Sequence, residues 1–145
     1  LNIGADKVAI NSSAIKDPMF LKKAVKEFGE STIISYIETK KINQSYYAYY
    51  NNGRENSNKK LGEWIKTVHD MGCGEILVKS IDRDGTRIGL DFDLINIIDK
   101  LSKKPFIICG GLKDLKDLKQ FISKFPKEAV AISSALHFNE IKNLP

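Results

Sequence analysis

The 145 residues carry 42% apolar and 28% charged side chains, ordinary proportions for a globular chain of about one domain, and they exclude collagen-like and wholly disordered classes. Lys and Arg number 23 against 18 Asp and Glu, a net charge of +5, but the lysines are spread over helix faces and not gathered into the stripe that a nucleic-acid footprint requires. The longest apolar runs, such as Ile76–Val78 and Phe106–Cys109, fall far below the ~20 residues of a membrane span, so neither nucleic acid nor a membrane is expected as a partner.

In chain order, Lys7–Asn11 is a short strand run leading into Ser12-Ser13, a helix-cap pair. Pro18–Phe28 places Phe20, Leu21, Ala24, Val25 and Phe28 at helical spacing, and Gly29 stops it. Thr32–Ile37 is mostly apolar, as a strand buried on both faces is. Residues 39–59 are a long polar stretch containing Tyr46-Tyr47-Ala48-Tyr49-Tyr50. These tyrosines suit a strand pair extending from the sheet, with a turn or hinge at Asn51-Asn52-Gly53. Leu61–Met71 is a helix closed by Gly72, Glu75–Val78 a strand, Asp91–Leu101 a helix and Pro105–Cys109 a strand ending in Gly110-Gly111. Leu115–Phe125 is a helix, and Ala129–Ile132 a last strand before Ser133-Ser134. Five strands alternating with four helices call for a parallel α/β sheet, either doubly wound or part of a (β/α)8 barrel.

Cys73 and Cys109 form no C-x-x-C and no disulfide framework, which suits a reducing, cytoplasmic setting. The start, Leu1-Asn2-Ile3-Gly4-Ala5-Asp6, has no basic region followed by an apolar one and no Met, as expected of a chain beginning within a longer protein.

Ligands of parallel α/β proteins bind beyond the carboxyl ends of the strands. Here those ends carry Asn11-Ser12-Ser13, Glu38-Thr39-Lys40, the run Lys79 to Thr86, Gly110-Gly111 and Ser133-Ser134. Caps and turns account for many of these residues. Gly-Gly after one strand with Ser-Ser after the next also presents backbone N–H groups to an anion, so a phosphate is expected there.

Gly4-Ala5-Asp6-Lys7-Val8-Ala9-Ile10-Asn11, Gly72-Cys73-Gly74-Glu75-Ile76-Leu77 and Ser80-Ile81-Asp82-Arg83-Asp84-Gly85-Thr86 resemble, in order, three segments of the cyclase subunit of imidazole glycerol phosphate synthase. Gly110-Gly111 and Ala131 to Phe138, with Ser134 and His137-Phe138, continue the match. The resemblance implies a partial (β/α)8 TIM barrel: one incomplete domain over 1–145, holding the fourth to eighth strands of a fold of roughly 250 residues, with the first three βα units outside the chain. It implies a lyase of histidine biosynthesis that uses ammonia from a glutaminase partner to convert a phosphorylated ribotide into imidazole glycerol phosphate and aminoimidazole carboxamide ribotide, with no cofactor and no metal.

Carried over residue by residue, the resemblance makes Glu38 the counterpart of one of two catalytic aspartates; the other, on the barrel's first strand, has no counterpart here. It assigns substrate phosphate to Gly110, Gly111, Ser133 and Ser134, helped by Asp84 and Gly85, and the other end of the substrate to Asn11 and Ser12. Lys7 and Glu75 match two members of the ammonia gate at the barrel's foot. Three positions depart from the pattern: Glu38 replaces Asp, Lys79 stands where Thr is usual, and Leu112-Lys113 replaces a third glycine. These departures keep two alternatives open: a cyclase-like paralogue delivering ammonia for amidation of a bacterial surface sugar, and an inactive barrel fragment.

Overall fold

The computed structural model describes residues 4–137. The described elements are β1 (Val8–Ile10), α1 (Ser12–Lys16), α2 (Pro18–Phe28), β2 (Ile33–Ile42), β3 (Ser45–Tyr50), β4 (Glu55–Lys60), α3 (Leu61–Asp70), β5 (Glu75–Ser80), α4 (Phe92–Leu101), β6 (Phe106–Cys109), α5 (Leu115–Lys124), β7 (Ala129–Ala131) and α6 (Ser134–His137).

Local chemistry sets the helix starts. Asp17 accepts the Met19 N–H ahead of Pro18 at the start of α2, Asp91 accepts the Leu94 N–H of α4, and Asp114 accepts the N–H groups of Lys116 and Asp117 in α5. Each uses a side-chain oxygen to satisfy donors that the first helical turn leaves open.

β1, β2, β5, β6 and β7 are parallel neighbours in that order. The tyrosine-rich stretch forms β3, paired antiparallel to β2, and the polar β4 pairs with β3. β2 is longer than its apolar run predicts. Residues 33–35 pair with β1, whereas residues 38–42 pair with β3 on the same edge. A two-residue loop with Asn43 in the left-handed region joins β2 to β3. Tyr46 anchors this hairpin: its hydroxyl donates to both carboxylate oxygens of buried Asp91 at 3.1 Å, and Ser80 Oγ donates to the same carboxylate.

The strand faces decide between the two layouts. Side chains alternate along a strand, so Ile33, Ile37, Ile76, Val78, Phe106 and Ile108 share one face; all are buried in one cluster with Leu21, Trp64, Ile98 and Phe121 of the helices. The opposite face carries Tyr36, Leu77, Lys79, Ile107 and Cys109, all only partly buried, together with the buried Ile34 and Glu38, neither of which joins that cluster. A doubly wound sheet covers both faces with helices. Here the described helices pack on one face only, and the sheet is an open part of a (β/α)8 barrel whose interior side is the other one. Among the described residues no helix is long and apolar enough to cross a membrane.

Candidate functional site

The interior face has a foot and a mouth. At the foot, just before β1 and at the start of β5, Lys7 Nζ lies 2.8 Å from Glu75 Oε2. The two side chains are 47% and 21% exposed, so the pair adds only about 0–1 kcal/mol to stability. At the mouth, the register sets Glu38 beside Lys79 and Lys79 beside Cys109, in one row across β2, β5 and β6. Glu38 and Lys79 thus lie inside strands and not in loops, because β2 and β5 run on past their apolar cores.

Glu38 is 5% exposed and well supplied with donors. Asn11 Nδ2 donates to Oε2 at 2.7 Å and the Gly53 N–H donates to the same oxygen at 2.8 Å. The Tyr36 hydroxyl donates to Oε1 over a longer 3.4 Å. Two charge-assisted bonds therefore fix one oxygen, and the other is engaged only weakly. Burial, followed by the neighbouring Glu38 carboxylate, pushes the Tyr36 phenol well above its ordinary pKa, so Tyr36 stays a donor.

The turn after β3 closes over this corner. Asn51 and Asn52 are left-handed, Gly53 follows with φ 72°, and the Asn51 N–H donates to Ser12 Oγ. Ser12 thus holds the hairpin, while Asn11 holds Glu38. The Asn11 Oδ1 is buried without a hydrogen-bond partner among the described residues, an acceptor ready for a donor.

The second half of the mouth is a cleft lined by Asp84, Arg87, Cys109, Gly110, Gly111, Ser133 and Ser134. The Gly-Gly turn sits hard against the loop after β5. Gly110 and Gly111 have φ of 100° and 89°, and a Cβ on Gly110 would come within 2.8 Å of the Ser80 carbonyl oxygen. The Gly89 N–H donates to the Gly111 carbonyl at 2.8 Å, and the Asp84 N–H to the Ser80 carbonyl at 3.0 Å. Gly85 lies next to Asp84 in this loop, with φ 72°. Lys79 Nζ lies 2.7 Å from Asp84 Oδ2, which joins the Glu38 row to the cleft. The Cys109 thiol is pushed up by burial and then by Asp84, so it stays protonated near neutral pH.

The structure thus brings together Asp84, Gly110, Gly111, Ser133 and Ser134 at one cleft, and Asn11, Ser12 and Glu38 at a second corner of the mouth; Lys7 and Glu75 form their own pair at the foot. Lys113 lies outside the cleft proper, beside a more open hollow with Thr86, Arg87 and Asp114. Phe138 lies outside the described residues. Sequence reasoning missed Arg87, a basic residue directly after the Asp84-Gly85-Thr86 turn, which was the available signal. It also missed the Gly53 contact, which depends on hairpin register and leaves no local trace.

The family described as "Histidine biosynthesis protein" matches residues 1–142. The chain is 38% identical over 141 residues to the imidazole glycerol phosphate synthase subunit HisF of Natranaerobius thermophilus, covering 97% of this chain and 56% of that protein. It is 34% identical to the same-named subunit of Streptococcus mutans, over 97% of this chain and 57% of that protein. It is 39% identical to that of Campylobacter concisus, over 98% and 56%. The chain spans little more than half the length of these curated relatives.

Proposed function

The chain belongs to the histidine biosynthesis protein family, and from that premise we propose that the complete protein is a cyclase-type lyase, the cyclase subunit of an imidazole glycerol phosphate synthase. It would join ammonia to a phosphorylated ribotide and release imidazole glycerol phosphate and aminoimidazole carboxamide ribotide. The observation that carries this reading is the shared mouth: a buried carboxylate with one lightly engaged oxygen, beside a cleft of paired glycines and serines.

In this reading Glu38 Oε1 exchanges the proton at the reacting centre while Oε2 anchors the side chain. The backbone of Gly110 and Gly111 and the hydroxyls of Ser133 and Ser134 receive a substrate phosphate, with Arg87 as the cation and the Asp84-Gly85 loop as the wall. Asn11 Oδ1 accepts from the substrate near Glu38, and Ser12 keeps the overlying hairpin in place. A glutaminase subunit would dock at the foot and deliver ammonia past the Lys7–Glu75 pair. The second catalytic carboxylate and three further βα units would come from the remainder of the protein, and the 145 residues alone would be inactive.

The test is ammonia-dependent turnover of the ribotide by the full-length protein. Glu38→Gln keeps size and removes proton transfer, and should lower kcat by about 100-fold or more. Glu38→Asp should keep activity or raise it. Full activity in Glu38→Gln would remove Glu38 from the catalytic role.

A second reading is favoured by one observation: Lys79 puts an ammonium at the mouth and pairs with Asp84 at 2.7 Å, where the family usually has Thr. A cyclase-like paralogue that passes ammonia to the amidation of a bacterial surface sugar would retain the Lys7–Glu75 pair and tolerate both Glu38 changes. There, Lys7→Ala or Glu75→Ala would uncouple glutamine use from product formation, and wild type would not turn over the ribotide.

A further inference from the structure

Four of the five tyrosines lie on β3, and the fifth, Tyr36, lies on β2. Three of the five are engaged within the chain. Tyr36 donates to Glu38, and Tyr46 donates to Asp91. Tyr50 bonds the Glu55 carboxylate, with Lys16 Nζ 5.6 Å from its ring centroid. Tyr47 and Tyr49 differ: both are half-buried, yet among the described residues neither side chain has a hydrogen-bond or ring partner.

Alternation along β3 separates the two groups. Tyr46 and Ala48 belong to the helix-side cluster and Tyr50 packs against it, whereas Tyr47 and Tyr49 do neither. The register sets Tyr49 opposite Glu38 and Tyr47 opposite Lys40. Residues directly opposed in an antiparallel pair project from the same face, with Cβ atoms about 5 Å apart. Tyr49 therefore stands beside Glu38 on the interior face. The row at the mouth gains a fourth member and now runs Tyr49, Glu38, Lys79, Cys109, with an aromatic ring at one end and the paired glycines and serines at the other.

The position of Tyr49 limits what it can hold. With Glu38 across the strand pair, a group resting on Tyr49 lies next to the reacting centre. In the proposed reaction that centre joins the imidazole ring being closed to the aminoimidazole ring being released. Both are planar with a π face, which a tyrosine ring receives by offset stacking while its hydroxyl stays free for a polar edge. Tyrosine also loses little rotamer freedom on contact, since only two side-chain angles are fixed.

We propose that Tyr49, extended by Tyr47, is a specificity-determining platform on which an imidazole ring of the ribotide reaction lies beside Glu38. This rests on the cyclase reading of the mouth. Calorimetric binding to the full-length protein tests it with four ligands. Aminoimidazole carboxamide ribotide carries the released ring and imidazole glycerol phosphate the newly closed one; ribose 5-phosphate and glycerol 3-phosphate are their ringless counterparts. Tyr49→Leu should weaken one ring-bearing ligand by about tenfold or more, the scale of one stacked base, and leave its ringless counterpart within about twofold of wild type. The ligand that loses affinity identifies the ring. Tyr49→Phe should stay within about threefold of wild type, because the ring face survives. Tyr47→Leu should show a smaller loss with the same selectivity. Unchanged affinity for both ring-bearing ligands in Tyr49→Leu overturns the inference. So does an equal loss for ring-bearing and ringless ligands, which would assign Tyr49 to the packing of the complete barrel. If wild type turns over no ribotide with ammonia, the cyclase reading falls and the inference with it, a distinct result because it precedes any variant.

Discussion

At the residue scale the mouth is held by contacts made with backbone. Gly111 is the sharpest case. Its φ is 89°, and a Cβ there would lie 2.5 Å from the Gly89 carbonyl oxygen and 2.7 Å from the Arg83 Cβ. Neither neighbour is the free end of a flexible chain, so Gly111→Ala must both strain its own backbone and push the loop away. It should lower unfolding free energy by about 3 kcal/mol, read as a shift of the urea midpoint at constant slope, and weaken phosphate binding at the same time. The residues of this site were unequally legible. Glu38 was readable as a strand-end carboxylate and the two glycines as a turn, because residue type and neighbours in sequence carry that information. The partners of Glu38 were not, since Asn11 and Gly53 stand 27 and 15 positions away and meet it only through strand register.

At the scale of elements, amphipathic spacing gave α2, α3, α4 and α5 to within a residue or so at each end. α1 and α6 escaped because four or five residues are too few to show a period. The strand pair was visible in its tyrosines but β4, Glu55–Lys60, was not, having a polar sequence that pairs only because β3 precedes it. The α3–α4 contact carries a titratable group. His69 Nε2 lies 3.4 Å from Ser102 Oγ, and burial, then Lys104, hold the imidazole below its ordinary pKa. The unfolded chain therefore takes up the proton first as pH falls. The contribution of neutral His69 to stability is fully present above an unfolded pKa of about 6.5 and is lost as pH drops below it. His69→Gln should flatten that part of the curve, seen as a smaller change in urea midpoint between pH 7.5 and about 5.5 than wild type shows.

At the scale of the whole molecule, alternation of strands and helices announced a parallel sheet but could not choose between two layouts, since both produce the same string. The choice rests on which face is buried, and β5 shows why it was hidden. Ile76, Val78 and Ser80 are buried under helices while Glu75, Leu77 and Lys79 are not, yet the run Glu75–Val78 is too short for its alternation to stand out. β2 is bonded to β5 along one edge, and to β1 and then β3 along the other, whereas among the described residues β7 pairs only with β6, through three residues. No single neighbour can leave and set β2 free, so its amides can meet solvent only when the sheet as a whole opens. In native-state hydrogen exchange the amides of β2 that face β5 should be among the last to acquire deuterium, at a rate set by global unfolding, while β7 exchanges through local fraying. Earlier exchange in β2 than in β7 would mean that the hairpin and β1 detach from β2 as separate cooperative units.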